Sequence, residues 1–255
     1  MLEYLVVAIF AFLASFISFF SGFGLGTILM PMIAIFFPLP IAISLTAVIH
    51  LLHNLMKTGL LWRAIDWTVA VKFGAAALIA SIPGALLLKG LSEYAPVKEY
   101  SIWEIRGEIS VLRMCIGFLL ILFASMEAFP HKIYRVKNLF LGGAVSGFFG
   151  GLSGNQGALR SVFLINTNMD KRAFIGTNAI IAMIVDIARL VVYSLSFRHL
   201  IISSNLPLLG IAIAASLGGV CLGMTLLQKI TLGFIQKLVI ILLYILGAFM
   251  VLGII

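Results

Sequence analysis

Charge is scarce in this chain. Of its 255 residues only 10% are Asp, Glu, Lys or Arg, and the acidic side chains number nine. So little charge does not clothe the surface of a soluble domain, and with 62% hydrophobic residues the composition belongs in a bilayer. Cysteine is limited to Cys115 and Cys221, both in apolar runs and without a CxxC spacing, which excludes a disulfide framework and a metal knuckle and leaves them as packing residues. The sequence contains neither a phosphate-binding G-x-x-x-x-G-K-[ST] loop nor an H-E-x-x-H pair, so neither nucleotide hydrolysis nor a zinc peptidase is indicated, and no cofactor motif stands out. The first apolar run, 5–20, lacks a basic leader and a small-residue cleavage motif and has Glu3 ahead of it, so it reads as a retained membrane segment.

What the chain does have is apolar length. Runs 41–61, 67–88, 112–129, 172–197, 206–227 and 234–255 approach or exceed the ~20 residues that cross a bilayer. The net charge of +8 lies mostly in the short connections, where it sets orientation and meets anionic lipid; it is no footprint of nucleic acid. One sizeable hydrophilic stretch, 89–113, reads as a loop of about twenty residues flanked by turn signals at Pro83 and Pro96, too short for a second domain.

The chain repeats itself. "SFFSGFGLGTILMP" near the start and "GFFGGLSGNQGALR" in the middle align Phe19-Phe20 with Phe148-Phe149 and Gly22 with Gly151, an offset of 129; "AISLT" and "AFIGT" align Ala42 with Ala173 and Thr46 with Thr177, an offset of 131. The second copy therefore carries two extra residues at its tip, assigned to Asn155 and Gln156. Two repeats are expected, 1–129 (with the loop 89–113 facing outward) and 130–255. Each opens with an apolar arm, a glycine-rich break and a shorter arm: 5–20 then 28–37, and 139–152 then 158–165. Such a unit reads as a helical hairpin that enters the membrane and returns to the same face, followed by three full crossings. An odd number of crossings inverts the second half, giving an all-α polytopic membrane protein of two inverted repeats.

Loop charge tests that reading. With inversion, one face holds Lys57, Arg63, Lys132, Arg135, Lys137, Lys171, Arg172, Lys229 and Lys237, nine in all, against five (Lys89, Lys98, Arg106, Arg113, Arg198) on the other. Counting each hairpin as one broken span makes the split six to eight. The positive-inside rule prefers inversion, with both termini outside a cell (inner) membrane.

The polar residues at membrane depth are His50, His53, Asn54, Lys72, Glu127, Arg160, Asn178, Asp186 and Arg189, with the amides of the second tip. Ionisable groups there are costly and face a cavity or a partner. Arg160 falls in the first turn of a return arm beginning near Ala158, beside unpaired backbone N–H groups, which concentrates positive potential for an anion. Asn178, Ala182, Asp186, Arg189 and Tyr193 form one helical stripe; Thr46, His50, His53 or Asn54, and Lys57 form its counterpart, with histidines able to change charge near neutral pH. Each feature also has a purely structural reading. Gly143, Gly147 and Gly151, like Gly219 and Gly223, suit close helix packing; Asp186 and Arg189 suit mutual neutralisation; His50 and His53 suit interhelical hydrogen bonds. Lys72 and Glu127 read as snorkelling from span ends, and Lys57 as ending its helix at the cytoplasmic surface.

The segments "FFSGFGLGTILMPMIAIFFPLPIAISLTAVIHLLHN", "GGLSGNQGALRSVFL" and "AFIGTNAIIAMIVDIARLVVY" resemble the sulfite exporter TauE/SafE family of membrane transporters, over nearly the whole chain. Gly22, Gly24, Gly26, Thr27 and Pro31 fit its first signature; in the second, Ser153, Gly154, Asn155, Gln156 and Gly157 stand where many members have a tighter glycine cluster, and Arg160 comes next. The resemblance implies transport, often export, of sulfite or a related small organic anion. Residues and resemblance agree on a secondary carrier, not an enzyme. Its small anion is expected between the two tips, on Gly24, Gly26, Thr27, Ser153, Gly154, Asn155, Gln156, Gly157 and Arg160. His50, His53, Asn54, Asn178, Asp186 and Arg189 form a second, coupling stripe. The rival reading is a divalent-cation carrier or intramembrane metalloprotein built on His50, His53 and Asp186, opposed electrostatically by Arg160 and Arg189. The expected partners are the anion and the lipid bilayer, and the oligomeric state stays open between monomer and homodimer.

Overall fold

The computed structural model describes residues 2–21, 25–94, 98–102, 105–128, 138–202, 206–226 and 232–254. Ten α-helices account for most of them: α1 (Leu2–Ser21), α2 (Leu25–Ala34), α3 (Leu39–Leu61), α4 (Trp67–Tyr94), α5 (Val111–Ala128), α6 (Leu139–Ser153), α7 (Gly157–Leu164), α8 (Lys171–Ile202), α9 (Leu206–Thr225) and α10 (Leu232–Val251). Among the described residues five helices, α1, α3, α4, α8 and α9, are long and apolar enough to cross a membrane. Three of the helix starts are fixed by N-cap side chains. Asn138 Oδ1 accepts from the N–H groups of Phe140 and Leu141 at the start of α6 (both 3.0 Å), and Asp66 and Asp170 cap α4 and α8 through Val69 and Ala173 (3.0 and 2.7 Å).

The exterior is rich in large apolar side chains, and several charged side chains are buried within the apolar interior. Leu5, Ile79, Phe118, Phe140, Val191 and Ile241 are exposed, while Arg160, Asp186, Arg189, His53 and Lys57 are buried. That arrangement is what a lipid solvent requires: hydrocarbon accepts leucine freely and hides ions in the interior.

Packing relates the two halves. α1 lies on α9 as α6 lies on α4; α2 meets α10 as α7 meets α5; α3 faces α8, and α5 faces α10. Exchanging the first five helices for the last five turns each of these contacts into another of them or itself. The α4–α6 contact is backbone to backbone: a Cβ on Gly147 would sit 2.2 Å from the Ala77 carbonyl oxygen, and on Gly151 2.0 Å from that of Ser81. The small-residue ladder read from 143, 147 and 151 is therefore a packing device, and Gly219 against Phe12 plays the same part between α1 and α9.

Three expectations change. The stretch 89–113 is not a plain loop: α4 continues to Tyr94, and Lys98–Ile102 (β1) pairs antiparallel with Ile105–Ile109 (β2), Lys98 opposite Ile109. Alternation of polar and apolar residues in "KEYSI" and "IRGEI" favours strands, and the ribbon is anchored by Glu108 N–H donating to Gly253 O (2.7 Å) and Tyr100 OH to Leu252 O. A cavity of about 730 Å³ lies between this ribbon, the C-terminal turn and Ala34 at the end of α2. Lys57 does not reach the surface: α3 runs a further turn, and the side chain is 2% exposed, its ammonium donating to Ser18 O (3.1 Å) and lying 5.5 Å from the centre of the Phe19 ring. Its removal from the loop tally makes the split eight to five, with the same sign. The first arm is longer than a half-membrane arm needs, since α1 has 20 residues, about 30 Å. The return arms are short, ten residues in α2 and eight in α7. Lys72 is exposed, and the side chain of Glu127 lies outside the described residues.

Candidate functional site where two broken helices meet

α6 ends at the second tip because Gly154 takes φ 76°, a left-handed conformation open to glycine at little cost, and its N–H closes on Gly150 O (2.9 Å). Ser153 holds the turn from within, donating to Phe149 O (3.0 Å) and accepting from Asn155 N–H (3.2 Å), so its hydroxyl hydrogen is committed there. Tyr193 OH donates to Gly151 O and ties the tip to α8. α7 then begins at Gly157, and Gln156 makes no side-chain capping bond, so the opening N–H groups of α7 have no intrahelical acceptor.

Residues 22–24 of the first tip, including Gly22 and Gly24, lie outside the described residues. The return arm α2 is placed from Leu25 onward. On it, Gly26 faces the second tip so closely that a Cβ there would stand 3.0 Å from Gly154 O and 3.8 Å from Asn155 Oδ1. The start of α2 therefore meets the second tip, and Thr27 comes with Gly26.

Around this junction lie polar atoms with unused hydrogen-bonding capacity. Among the described residues, Thr27 Oγ1, both amide atoms of Asn155, both of Gln156, Asn178 Nδ2 and Arg189 Nη1 are buried and have no hydrogen-bond partner. Buried groups of this kind each cost ~1–3 kcal/mol when left unmet. Thr27, Asn155, Gln156, Arg160, Asn178, Asp186 and Arg189 are all 2% exposed or less.

The charges are arranged from two helices. Arg160, on the first turn of α7, donates through Nε to Asn178 Oδ1 of α8. Two turns further along α8, Asp186 Oδ1 accepts from Arg189 Nε (3.0 Å) and Nη2 (2.7 Å), while its other oxygen receives His50 Nδ1 (2.7 Å) and Asn54 Nδ2 (3.4 Å) from α3. Arg189 Nη1 is left pointing at the second tip, where a Cβ on Gly154 would meet it at 2.3 Å. His53, a turn from His50 with the rings stacked at 6.3 Å, turns away to Ser15 of α1 (2.7 Å).

The two stripes thus converge as helix faces, and the expected Asp186–Arg189 pair forms. The candidate anion residues Thr27, Asn155, Gln156 and Arg160 gather with them, whereas Ser153 and the Gly154 N–H serve the turn. Sequence reading missed Ser15, an isolated hydroxyl on an apolar helix that holds His53 and is itself bonded to the backbone carbonyl of Ser216. The only trace was Ser15 and Ser18 three apart on one helix face. Of the rival metal set, His50 reaches Asp186 while His53 bonds Ser15, and among the described residues no three His, Cys, Asp or Glu side chains come together.

The fold is that of a polytopic helical membrane protein: a bundle with an apolar exterior and a buried charged cluster beside the broken helix pair α6–α7. Residues 7–250 match the family described as Sulfite exporter TauE/SafE, and the chain belongs to that family. No curated protein and no solved structure matches the chain significantly.

Proposed function

We infer that the chain is a secondary carrier, an exporter, for a small oxyanion such as sulfite or an organosulfonate, bound where the two tips meet. The observation that carries this reading is the set of unpartnered buried atoms on Thr27, Asn155, Gln156, Asn178 and Arg189 around one junction. Most are donors, and they lie beside two guanidinium groups and a single carboxylate. Such a cluster, closed away from water, is costly with its surplus positive charge and is completed by an anion whose oxygens accept from several donors at once. Weak, distributed bonds also suit a carrier, which must release what it holds.

Topology supports transport by two inverted halves. The ribbon 98–109 and the turn 252–254 are hydrogen-bonded, so they lie on one face of the molecule. With each hairpin re-entrant, an even number of crossings separates them; with each hairpin a single broken span, the number is odd and they would lie apart. The eight residues of α7, about 12 Å, are too short to cross alone. The repeats 1–129 and 130–255, both termini outside, and a cell (inner) membrane location belong to the same reading.

The test is sulfite binding to the detergent-purified protein, read as a rise in melting temperature. Asn155→Ala and Gln156→Ala should each weaken binding by about 1–2 kcal/mol. Arg160→Gln should cost more, and Arg160→Lys should recover it only in part, because an ammonium lacks the planar fork that suits oxyanions. Folded Arg160→Gln protein that binds sulfite as tightly as the wild type would place the site elsewhere.

A further inference from the structure

His53 is held by a hydrogen-bond chain that fixes which of its nitrogens carries a hydrogen. Ser15 Oγ of α1 lies 2.5 Å from the carbonyl oxygen of Ser216 on α9 and 2.7 Å from His53 Nδ1. A carbonyl only accepts, and a hydroxyl has one hydrogen, so that hydrogen goes to Ser216 and the Ser15 oxygen must accept from His53. Nδ1 is therefore the N–H in the neutral ring and in the cation alike. The proton that comes and goes is on Nε2, which is buried and has no hydrogen-bond partner among the described residues.

The charged groups on the elements around the ring are mostly cationic. On its own helix are Lys57 and the stacked His50, the latter bound to Asp186. α8 brings Asp186, Arg189, Tyr193 and, at its start, Lys171, whose ammonium lies 5.7 Å from the centre of the Phe20 ring; α7 brings Arg160. The apolar part of α1 beyond Tyr4 and the whole of α2 carry no titratable side chain, and α9 carries only Cys221, which is exposed. A proton on Nε2 thus joins a region already rich in buried cations, and an oxyanion at the tip junction offsets that repulsion.

We propose that His53 Nε2 is the carrier's proton-binding site, taking up a proton when an oxyanion occupies the junction and releasing it when the anion leaves. The inference rests on the anion site argued above. The bond formed is Nε2–H, with Nδ1–H kept on Ser15, and proton and anion stabilise one another's binding by the same factor. The carrier then binds its proton and its anion together.

The experiment compares sulfite affinity in the wild type and in His53→Gln across roughly pH 6–8, the range in which histidine titrates. Ionisation of sulfite itself is common to both proteins, so the ratio of their affinities reports the protein alone. That ratio should grow in favour of the wild type as pH falls through the range, approaching tenfold per unit for one linked proton. A ratio independent of pH overturns the proposal. Should His53→Gln not fold, ¹⁵N-histidine spectra of the wild type decide. Sulfite should move Nε2 of His53 from bare to protonated with Nδ1 unchanged, and an Nε2 that stays bare overturns the proposal. Sulfite binding without proton uptake removes this inference and leaves the anion site standing, whereas a wild-type protein that binds no sulfite at any pH overturns both.

Discussion

Gly154 and Arg189 occupy the same small space. The glycine has φ 76°, and the position its Cβ would take is 2.3 Å from Arg189 Nη1. A backbone turn at the tip of one helix thus makes room for a guanidinium from another, and that guanidinium is the one holding Asp186.

Gly154→Ala should therefore be damaging on two grounds. A left-handed alanine costs ~1–2 kcal/mol, and the methyl group displaces Arg189 from the tip. Gly90 of α4 is the matched control, because nothing lies within 4 Å of its Cβ position, and alanine there should gain ~0.5–1 kcal/mol in a helix. Thermal unfolding in detergent should show Gly154→Ala melting below the wild type and Gly90→Ala at or above it. Equal melting of the two variants would mean that the tip is not built this way.

Orientation is read by labelling. In a background with Cys115 and Cys221 replaced, single cysteines at the exposed Glu99 and Arg172 should react from opposite sides of intact cells, Glu99 from outside. Reaction of both from one side would end the inverted-repeat arrangement.

Much of the architecture is legible in the sequence because a membrane sharpens the code. Apolar length marks the helices, the offset repeats mark two tips, and steps of three and four put His50, Asn54, Asp186 and Arg189 on faces that do meet. Lys57 is not legible, because run length cannot tell a buried lysine from one at a helix end; its position depends on Ser18 O and the Phe19 ring, which come from α1. The strands at 98–109 escape for a similar reason, since a short ribbon is held by distant groups, here the turn at Leu252 and Gly253. Nor does spacing show that Gly26 would touch Gly154, a contact between repeats.

The Asp186–Arg189 pair gives the last test. Asp186 serves Arg189 through one oxygen and His50 through the other, and both members of the pair are fully buried. Asp186→Asn alone leaves a guanidinium in a low-dielectric interior without its counter-charge, a loss of ~3–5 kcal/mol, whereas removing both charges together is often nearly neutral. The double variant Asp186→Asn with Arg189→Gln should therefore melt closer to the wild type than Asp186→Asn does. Its sulfite binding should stay weak, since Arg189 Nη1 is one of the donors at the tip. Separating the two readouts matters: recovered stability with lost binding identifies a pair that neutralises itself through one edge and offers the other edge to the anion. A double variant no more stable than Asp186→Asn would mean that the carboxylate is needed for His50 rather than for Arg189.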